Sequence, residues 1–242
     1  MLNKYFTYNY EGDYFTLFSF SHIAMLIITI LCTIALYYLR NNSRVNYIKH
    51  VILLGLICSE LTLNVWYLLN GAWSMAYTLP LHLCSISLYL SIFMLITEKY
   101  ALFEINFFMG VGGALQALLT PELYYNFPHY RYFHFFIAHI SIVLASFYMV
   151  SVKNYKPTLK SVWKSMIYLN LIALFVFFMN IVTGGNYMFL SRKPSNPSLL
   201  DYLGDYPWYL LSLELVTLIM FLILYLPFPV RNYMKKRTKK IK

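Results

Sequence analysis

The chain has 242 residues, of which 60% are hydrophobic and 12% are charged, and its mean hydropathy is +0.58. A soluble domain of this length does not need so apolar a composition, so the sequence indicates a polytopic membrane protein. The formal net charge is +10. The basic residues occupy short loops and the C-terminal end instead of a folded module with base-stacking aromatics, which argues against nucleic-acid binding.

Seven apolar segments predict an all-α fold, a seven-helix transmembrane bundle. In chain order the predicted spans are 15–39, 47–69, 79–96, 101–119, 132–152, 162–182 and 207–228. They divide the chain into an extracellular N-terminal segment (1–14), a transmembrane domain (15–228) and a basic tail (229–242). The first span is too long for a cleaved signal peptide, so we expect it to be retained.

The distribution of lysine and arginine predicts the orientation of these spans. With the tail in the cytoplasm, 15 of the 19 basic residues lie on the inner side. Cytoplasmic loops carry the excess of basic residues in multi-pass proteins, so we expect the N-terminus outside and the C-terminus in the cytoplasm of a cell-membrane protein. The tail carries seven Lys and Arg residues, a composition that also suits binding to anionic lipid.

The start of the third predicted span contains the first candidate site. There Pro80 stands at a position that suits the first turn of a helix, and His82 and Cys84 follow within four residues. Polar groups at membrane depth are costly and are kept for packing or for function. The other two cysteines, Cys32 and Cys58, lie inside apolar runs, and we expect neither disulfides nor a metal site nor a cofactor.

The predicted orientation places polar side chains of six spans in the outer half of the bilayer. These residues are Cys84, His139, Glu214, Asn180, Gln116, Asn64 and Glu60. Together they predict a polar cavity that opens toward the outer side. A structural explanation stays open for several of them: Cys84 shares a small-residue stripe with Ser87 and Ser91 that suits close helix packing, and His82 and His134 lie close enough to the interface to be solvated.

Three segments of the chain resemble a known group of membrane proteins. They are 79–84, 133–139, and the run from Lys193-Pro194 through 197–204 to Pro207-Trp208-Tyr209. The chain resembles the YwaF-type integral membrane proteins of Firmicutes, which are related to a eukaryotic transmembrane family that includes an ether-phospholipid acyltransferase. In that enzyme a membrane-embedded cysteine and a histidine are thought to transfer the acyl group, and the resemblance assigns these roles to Cys84 and to His139, with His134 as the other choice.

Such a site is chemically coherent, because a thiolate is a strong nucleophile and a neighbouring imidazole generates it. Glu214 or Asn180 would orient the imidazole through its second nitrogen. Membrane phospholipid or lysophospholipid would then be the partner, and substrate contacts would come from His82, His134, Asn180, Gln116, Glu60 and Asn64.

Two other functions remain open at the level of sequence. In the first, Glu60, Glu214 and His139 form the relay of a proton- or cation-coupled transporter. In the second, the polar groups form the core of a ligand-binding or assembly protein. The sequence does not determine the oligomeric state.

Overall fold

The computed structural model describes residues 2–194 and 199–230. In these residues regular structure is helical, with one isolated β-bridge between Tyr14 and Tyr125. The α-helices are α1 (Phe20–Leu39), α2 (Val45–Leu69), α3 (Leu83–Thr97), α4 (Tyr100–Leu119), α5 (Tyr130–Ser151), α6 (Leu159–Thr183) and α7 (Trp208–Tyr225). Most of the predicted basic tail, from residue 231 onward, lies outside the described residues.

Six of these helices are long and apolar enough to cross a membrane, and α3 is an apolar helix of only 15 residues. The prediction of an all-helical multi-pass membrane protein is therefore confirmed for six candidate spans. A helix needs about 20 residues to cross the hydrocarbon core, so α3 alone is too short.

The shortness of α3 corrects the predicted start of the third span. We expected a helix from residue 79, but Leu79 to Leu81 are not helical and His82 caps the helix in an extended conformation. Pro80 disfavours helical geometry at the residue before it. The Leu79 backbone N–H instead donates to the hydroxyl of Tyr187 at 2.9 Å. Irregular backbone is tolerated at membrane depth where protein covers it, and here the segment after α6 covers it.

Helices α4 and α5 form the centre of the bundle. In each of these two helices, 61% of the most apolar 18-residue stretch is buried inside the protein. The corresponding share is 22% or less in α1, α2, α6 and α7. Helix α4 packs against α3, α5, α6 and α7, while α5 also contacts α1 and α2. Glycines permit this close approach: a Cβ at Gly110 would lie 3.2 Å from Ile142 on α5, and one at Gly112 would lie 2.6 Å from Met220 on α7.

Ion pairs join the helices at one end of the bundle. Glu98, which ends α3 in a left-handed conformation, accepts from Lys49 at 2.8 Å and from Lys153 at 2.5 Å. Lys164 at the start of α6 pairs with Glu104 on α4 at 2.9 Å. Three basic residues of the predicted inner side, Lys49, Lys153 and Lys164, thus pair with acidic residues at this end.

The opposite end is covered by the N-terminal segment and by the connections between helices. The Trp66 indole donates to the carbonyl of Phe6 at 2.7 Å, and His129 Nε2 donates to the carbonyl of Thr7 at 3.1 Å. The Phe15 N–H donates to the carbonyl of Tyr124 at 3.0 Å. These bonds hold residues 6–15 across the ends of α2 and α5, so α1 begins at Phe20 and not at residue 15.

Candidate functional site

Cys84 is the second residue of α3, in the first turn of the helix. Its sulfur faces α4, where a Cβ at Gly113 would lie 3.8 Å from the Sγ atom and 3.3 Å from Leu83 Cδ2. The thiol is therefore packed at the α3–α4 contact, closer to the helix end than the predicted span boundary implied. This contact is also what the packing interpretation of Cys84 requires.

Buried polar groups continue from Cys84 along the same face of α3. Ser87 and Ser91 are 1% and 0% exposed, and Asn106 on α4 donates to Ser91 Oγ at 2.8 Å. Within the described part of the chain, the Ser87 hydroxyl and the Asn106 carbonyl oxygen have no hydrogen-bond partner. Buried polar groups without a partner are rare in protein interiors. The α3–α4 interface therefore carries unusual polar character for a helix contact in a membrane protein.

His139 lies two turns into α5 and is 8% exposed. Its Nδ1 donates to the carbonyl of Phe135 at 2.7 Å, and the two rings lie at 35° to each other with centroids 4.2 Å apart. A carbonyl only accepts, so Nδ1 carries the hydrogen and Nε2 keeps its lone pair in the neutral ring. The orienting bond that we expected from Glu214 or Asn180 is thus made by the backbone.

His134 is engaged at both ring nitrogens. Its Nε2 donates to the carbonyl of Ser59 on α2 at 3.0 Å, and its Nδ1 accepts from Arg131 at 2.9 Å. This imidazole has no free lone pair for base catalysis, so His139 fits the base role better. The sequence did not predict the contribution of Arg131, because a position one turn before His134 matters only when the fold places both side chains on the same helical face.

The carboxyl groups of Glu60 and Glu214, which the sequence placed in the outer half of the bilayer, make separate hydrogen bonds. Glu60 accepts from Asn64 at 3.1 Å and from the Tyr89 hydroxyl of α3 at 2.9 Å. Glu214 accepts from Asn170 of α6 at 2.5 Å. Helix α2 packs against α3 and α5, whereas α7 packs against α4 and α6, so the two carboxyl groups serve different helix contacts.

Asn180 and His82 hold the connection that follows α6. Asn180 accepts from the backbone N–H of Tyr187 at 2.7 Å and donates to its carbonyl at 3.0 Å. His82 Nδ1 accepts from the Met188 N–H at 3.4 Å, and its ring packs edge-on against Tyr187. Both residues therefore contact the chain itself. Gln116 likewise donates to Thr120 within its own helix turn, at 2.7 Å.

The structure divides the predicted cluster into several smaller contacts. Among the residues that the structure describes, no hydrogen bond joins His139 to Cys84 or to Glu214, and none of their His, Cys, Asp and Glu side chains form a group of three that could hold a metal. Two cavities lie at the other end of the bundle, around Arg44 and around Arg40 with Phe228. The predicted outward-facing cavity stays a prediction.

Comparison with known proteins supports the membrane class of the chain. A search of curated proteins found no match, and a search of solved structures found none. Residues 17–225, from the segment before α1 to the last residue of α7, match the model of a transmembrane family. The narrower resemblance to YwaF-type proteins and to an acyltransferase stays a prediction. Since the match spans most of the chain, this multi-pass membrane protein belongs to the TMEM164 family.

Proposed function

We propose that the protein transfers acyl groups between membrane phospholipids through Cys84, with His139 as the base. The observation that carries the proposal is the bond between His139 Nδ1 and the Phe135 carbonyl. It selects the tautomer in which Nε2 is the basic nitrogen, so the ring keeps one free lone pair that can accept the proton of a thiol.

In the proposed reaction, His139 Nε2 removes the proton of the Cys84 thiol, and the thiolate attacks the ester carbonyl of a donor phospholipid. The ester C–O bond breaks, and the lysophospholipid leaves with the proton from the imidazolium. The acyl group stays on the sulfur as a thioester. A lysophospholipid hydroxyl then attacks this thioester, gives its proton to His139, and regenerates the thiol. Each cycle exchanges one ester bond for another.

Cys84 and His139 lie on α3 and α5, which contact each other beside α4. Catalytic contacts are often long in the absence of substrate and tighten in the complex. Tyr89, the partner of Glu60, is also on α3, and Glu60 with Asn64 holds α2 against this helix. In this proposal, five residues that were expected to contact substrate instead support the helices around the site: His134, Asn180, Gln116, Glu60 and Asn64. His82 holds the connection after α6.

We also propose the predicted orientation, with the N-terminus outside and the ion-paired end in the cytoplasm of the cell membrane. Lys49, Lys153 and Lys164 all lie at that end, as the rule for basic loops requires. The site at the start of α3 then faces the outer leaflet. A tag after Leu2 should be accessible from outside intact cells, and a reporter after Lys242 should be cytoplasmic.

The experiment that tests acyl transfer uses purified protein with an alkyne-labelled phospholipid donor. We expect label on Cys84 that hydroxylamine releases, because thioesters react with hydroxylamine. Cys84→Ser should remove both label and transfer, and Cys32→Ser, which changes a packing thiol, should change neither. Full transfer by Cys84→Ser would show that the thiol mechanism is wrong.

A proton- or cation-coupled function is the second candidate, because both carboxyl groups that the sequence assigned to such a relay are hydrogen-bonded on membrane helices. Glu60 on α2 and Glu214 on α7 would carry it. Their position on opposite sides of the α4–α5 centre argues against one continuous relay. Ion flux in proteoliposomes that Glu60→Gln and Glu214→Gln both abolish would favour this function.

A further inference from the structure

Arg131 is a half-buried cation in the first turn of α5, at the end of the bundle that the N-terminal segment covers. One of its terminal nitrogens donates to His134 Nδ1 at 2.9 Å. Its guanidinium carbon lies 5.6 Å from the centre of the Trp66 ring and 5.8 Å from that of Tyr67. The side chain is thus fixed in position by one hydrogen bond and two aromatic rings.

The positive charge of Arg131 lacks an anionic partner among the described residues. The ion pairs found there involve Glu98 and Glu104, both at the opposite end of the bundle. The Arg131 Nε atom is enclosed and has no hydrogen-bond partner among the described residues. A guanidinium has five N–H groups, and a partly buried charge without a counter-ion is unfavourable. These facts point to an anion that completes the site.

Tyrosine side chains lie near the guanidinium. The Tyr67 ring lies beside it, and the Tyr125 hydroxyl donates to the carbonyl of Tyr8 at 3.0 Å. The N-terminal segment brings Tyr8 against Trp66 and Tyr67, with ring centroids 5.7 and 6.4 Å apart. Hydroxyl groups supply donors for an anion without adding a competing negative charge.

We propose that Arg131 binds a phosphate group, with the hydroxyls of Tyr8 and Tyr67 as further donors. The planar guanidinium matches the oxygens of phosphate in a two-point contact. Tyrosine and tryptophan concentrate at the level of the lipid headgroups, so the site lies at the depth of the phospholipid phosphates. Inorganic phosphate carries the same group, and the test separates the two sources. The site does not depend on acyl transfer.

Thermal unfolding in a phosphate-free maltoside detergent tests the proposal. One arm adds dioleoylphosphatidylglycerol, with dioleoylglycerol as the control lacking phosphate; the other adds inorganic phosphate, with chloride at equal ionic strength. We expect the wild-type melting temperature to rise by several degrees with the phosphate-bearing probe only. A rise with the lipid alone assigns the site to headgroups, and a rise with both assigns it to phosphate in general. No rise in either arm overturns the proposal.

The variants Arg131→Gln and Arg192→Gln remove the same charge at two positions, and Arg192 is an exposed residue of the connection after α6. We expect only Arg131→Gln to lose the rise. Equal rises in both variants would place the phosphate elsewhere.

A second measurement on the wild-type protein does not require any variant to fold. Phenylglyoxal modifies accessible arginines, and mass spectrometry locates the adducts. The phosphate-bearing probe should reduce the modification of Arg131 severalfold and leave that of Arg192 unchanged. Equal modification of Arg131 with and without the probe would contradict the site.

Discussion

The side-chain amide of Asn180 binds both backbone polar groups of Tyr187, and the Tyr187 hydroxyl in turn contacts the chain before α3. It accepts from the Leu79 N–H at 2.9 Å and donates to the Met75 carbonyl at 2.8 Å. Two buried residues thus join the connection after α6 to the irregular segment that precedes Cys84.

Replacing Asn180 should therefore destabilise the outer end of the bundle. Asn180→Ala leaves the buried N–H of Tyr187 unpaired, at a cost of about 1–3 kcal/mol. The Tyr187 carbonyl keeps only the long bond from the Leu190 N–H, at 3.4 Å. A fall in melting temperature, together with faster protease cleavage between Met75 and Leu79, would confirm it.

Asn170→Ala on the same helix removes an exposed side chain and its hydrogen bond to Glu214, and should cost less than Asn180→Ala. Equal losses would contradict the importance of the Tyr187 contact.

Labelling should distinguish Cys84 from the other two thiols. Small permeant thiol reagents added from outside should modify Cys84, because it lies in the first turn of α3 beside buried polar groups. Cys32 and Cys58 lie in the middle of α1 and α2, and we expect both to stay unmodified without detergent. Mass spectrometry of the labelled peptides measures all three in one sample. Equal inertness would favour a packing role for Cys84.

A methyl group at Gly113 should interfere with the same thiol. The added Cβ of Gly113→Ala would lie 3.3 Å from Leu83 Cδ2 and 3.8 Å from Cys84 Sγ, so the first turn of α3 must shift slightly. We expect slower labelling of Cys84 and reduced acyl transfer, with Cys58 as the internal control. Unchanged labelling and transfer would show that the α3–α4 contact does not limit access to the thiol.

The structure changes the expected effect of substitutions on the proposed reaction. His139→Ala should lose acyl transfer as completely as Cys84→Ser, since nucleophile and base act as one unit. The sequence suggested that Glu214 or Asn180 orients the imidazole, but Glu214 bonds to Asn170 and not to the imidazole. We now expect Glu214→Gln to keep most of the activity. A loss equal to that of His139→Ala would restore its orienting role.

The ion pairs of Glu98 should make stability depend on pH at both extremes. Hydrogen bonds from Lys153 and then Lys49 hold the pKa of Glu98 below its usual 4.5, and the bond to Glu98 raises the pKa of Lys153. The carboxylate contribution is complete above pH 4.5 and is lost as pH falls through the lowered pKa. The Lys153 contribution is complete below its unfolded pKa and is lost as pH rises through the raised one.

Glu98→Gln should therefore lower stability by about 1 kcal/mol, the scale of partly exposed ion pairs, across the neutral range. The difference in stability between Glu98→Gln and the wild type should become smaller at acidic pH. Melting curves between pH 4 and 9 measure it, and a difference that stays constant down to pH 4 would contradict the ionic origin.

Sequence patterns predicted the helices well and the polar contacts poorly. The ends of α2 and α4 lie within two residues of the predicted boundaries, because long apolar runs leave few alternatives in a membrane. Residues 79–82 are not helical as predicted, because the Tyr187 hydroxyl accepts the Leu79 N–H in place of a helical bond. This partner lies more than 100 positions away in the chain, so no local pattern could predict it. The sequence placed Glu214 at the same membrane depth as His139, but depth does not say which neighbour a side chain faces. That direction depends on the rotation of each helix about its axis, which tertiary packing sets.

The central position of α4 has a consequence for how the chain enters the membrane. Its mean hydropathy of 1.4 is the lowest of the six candidate spans, and it carries Glu104, Asn106 and Gln116 among its residues. Polar side chains weaken the insertion of an isolated helix. During synthesis α4 should therefore need contacts with α3 and α5 to leave the translocation channel. Its integration into the bilayer is then a cooperative step and not an independent one.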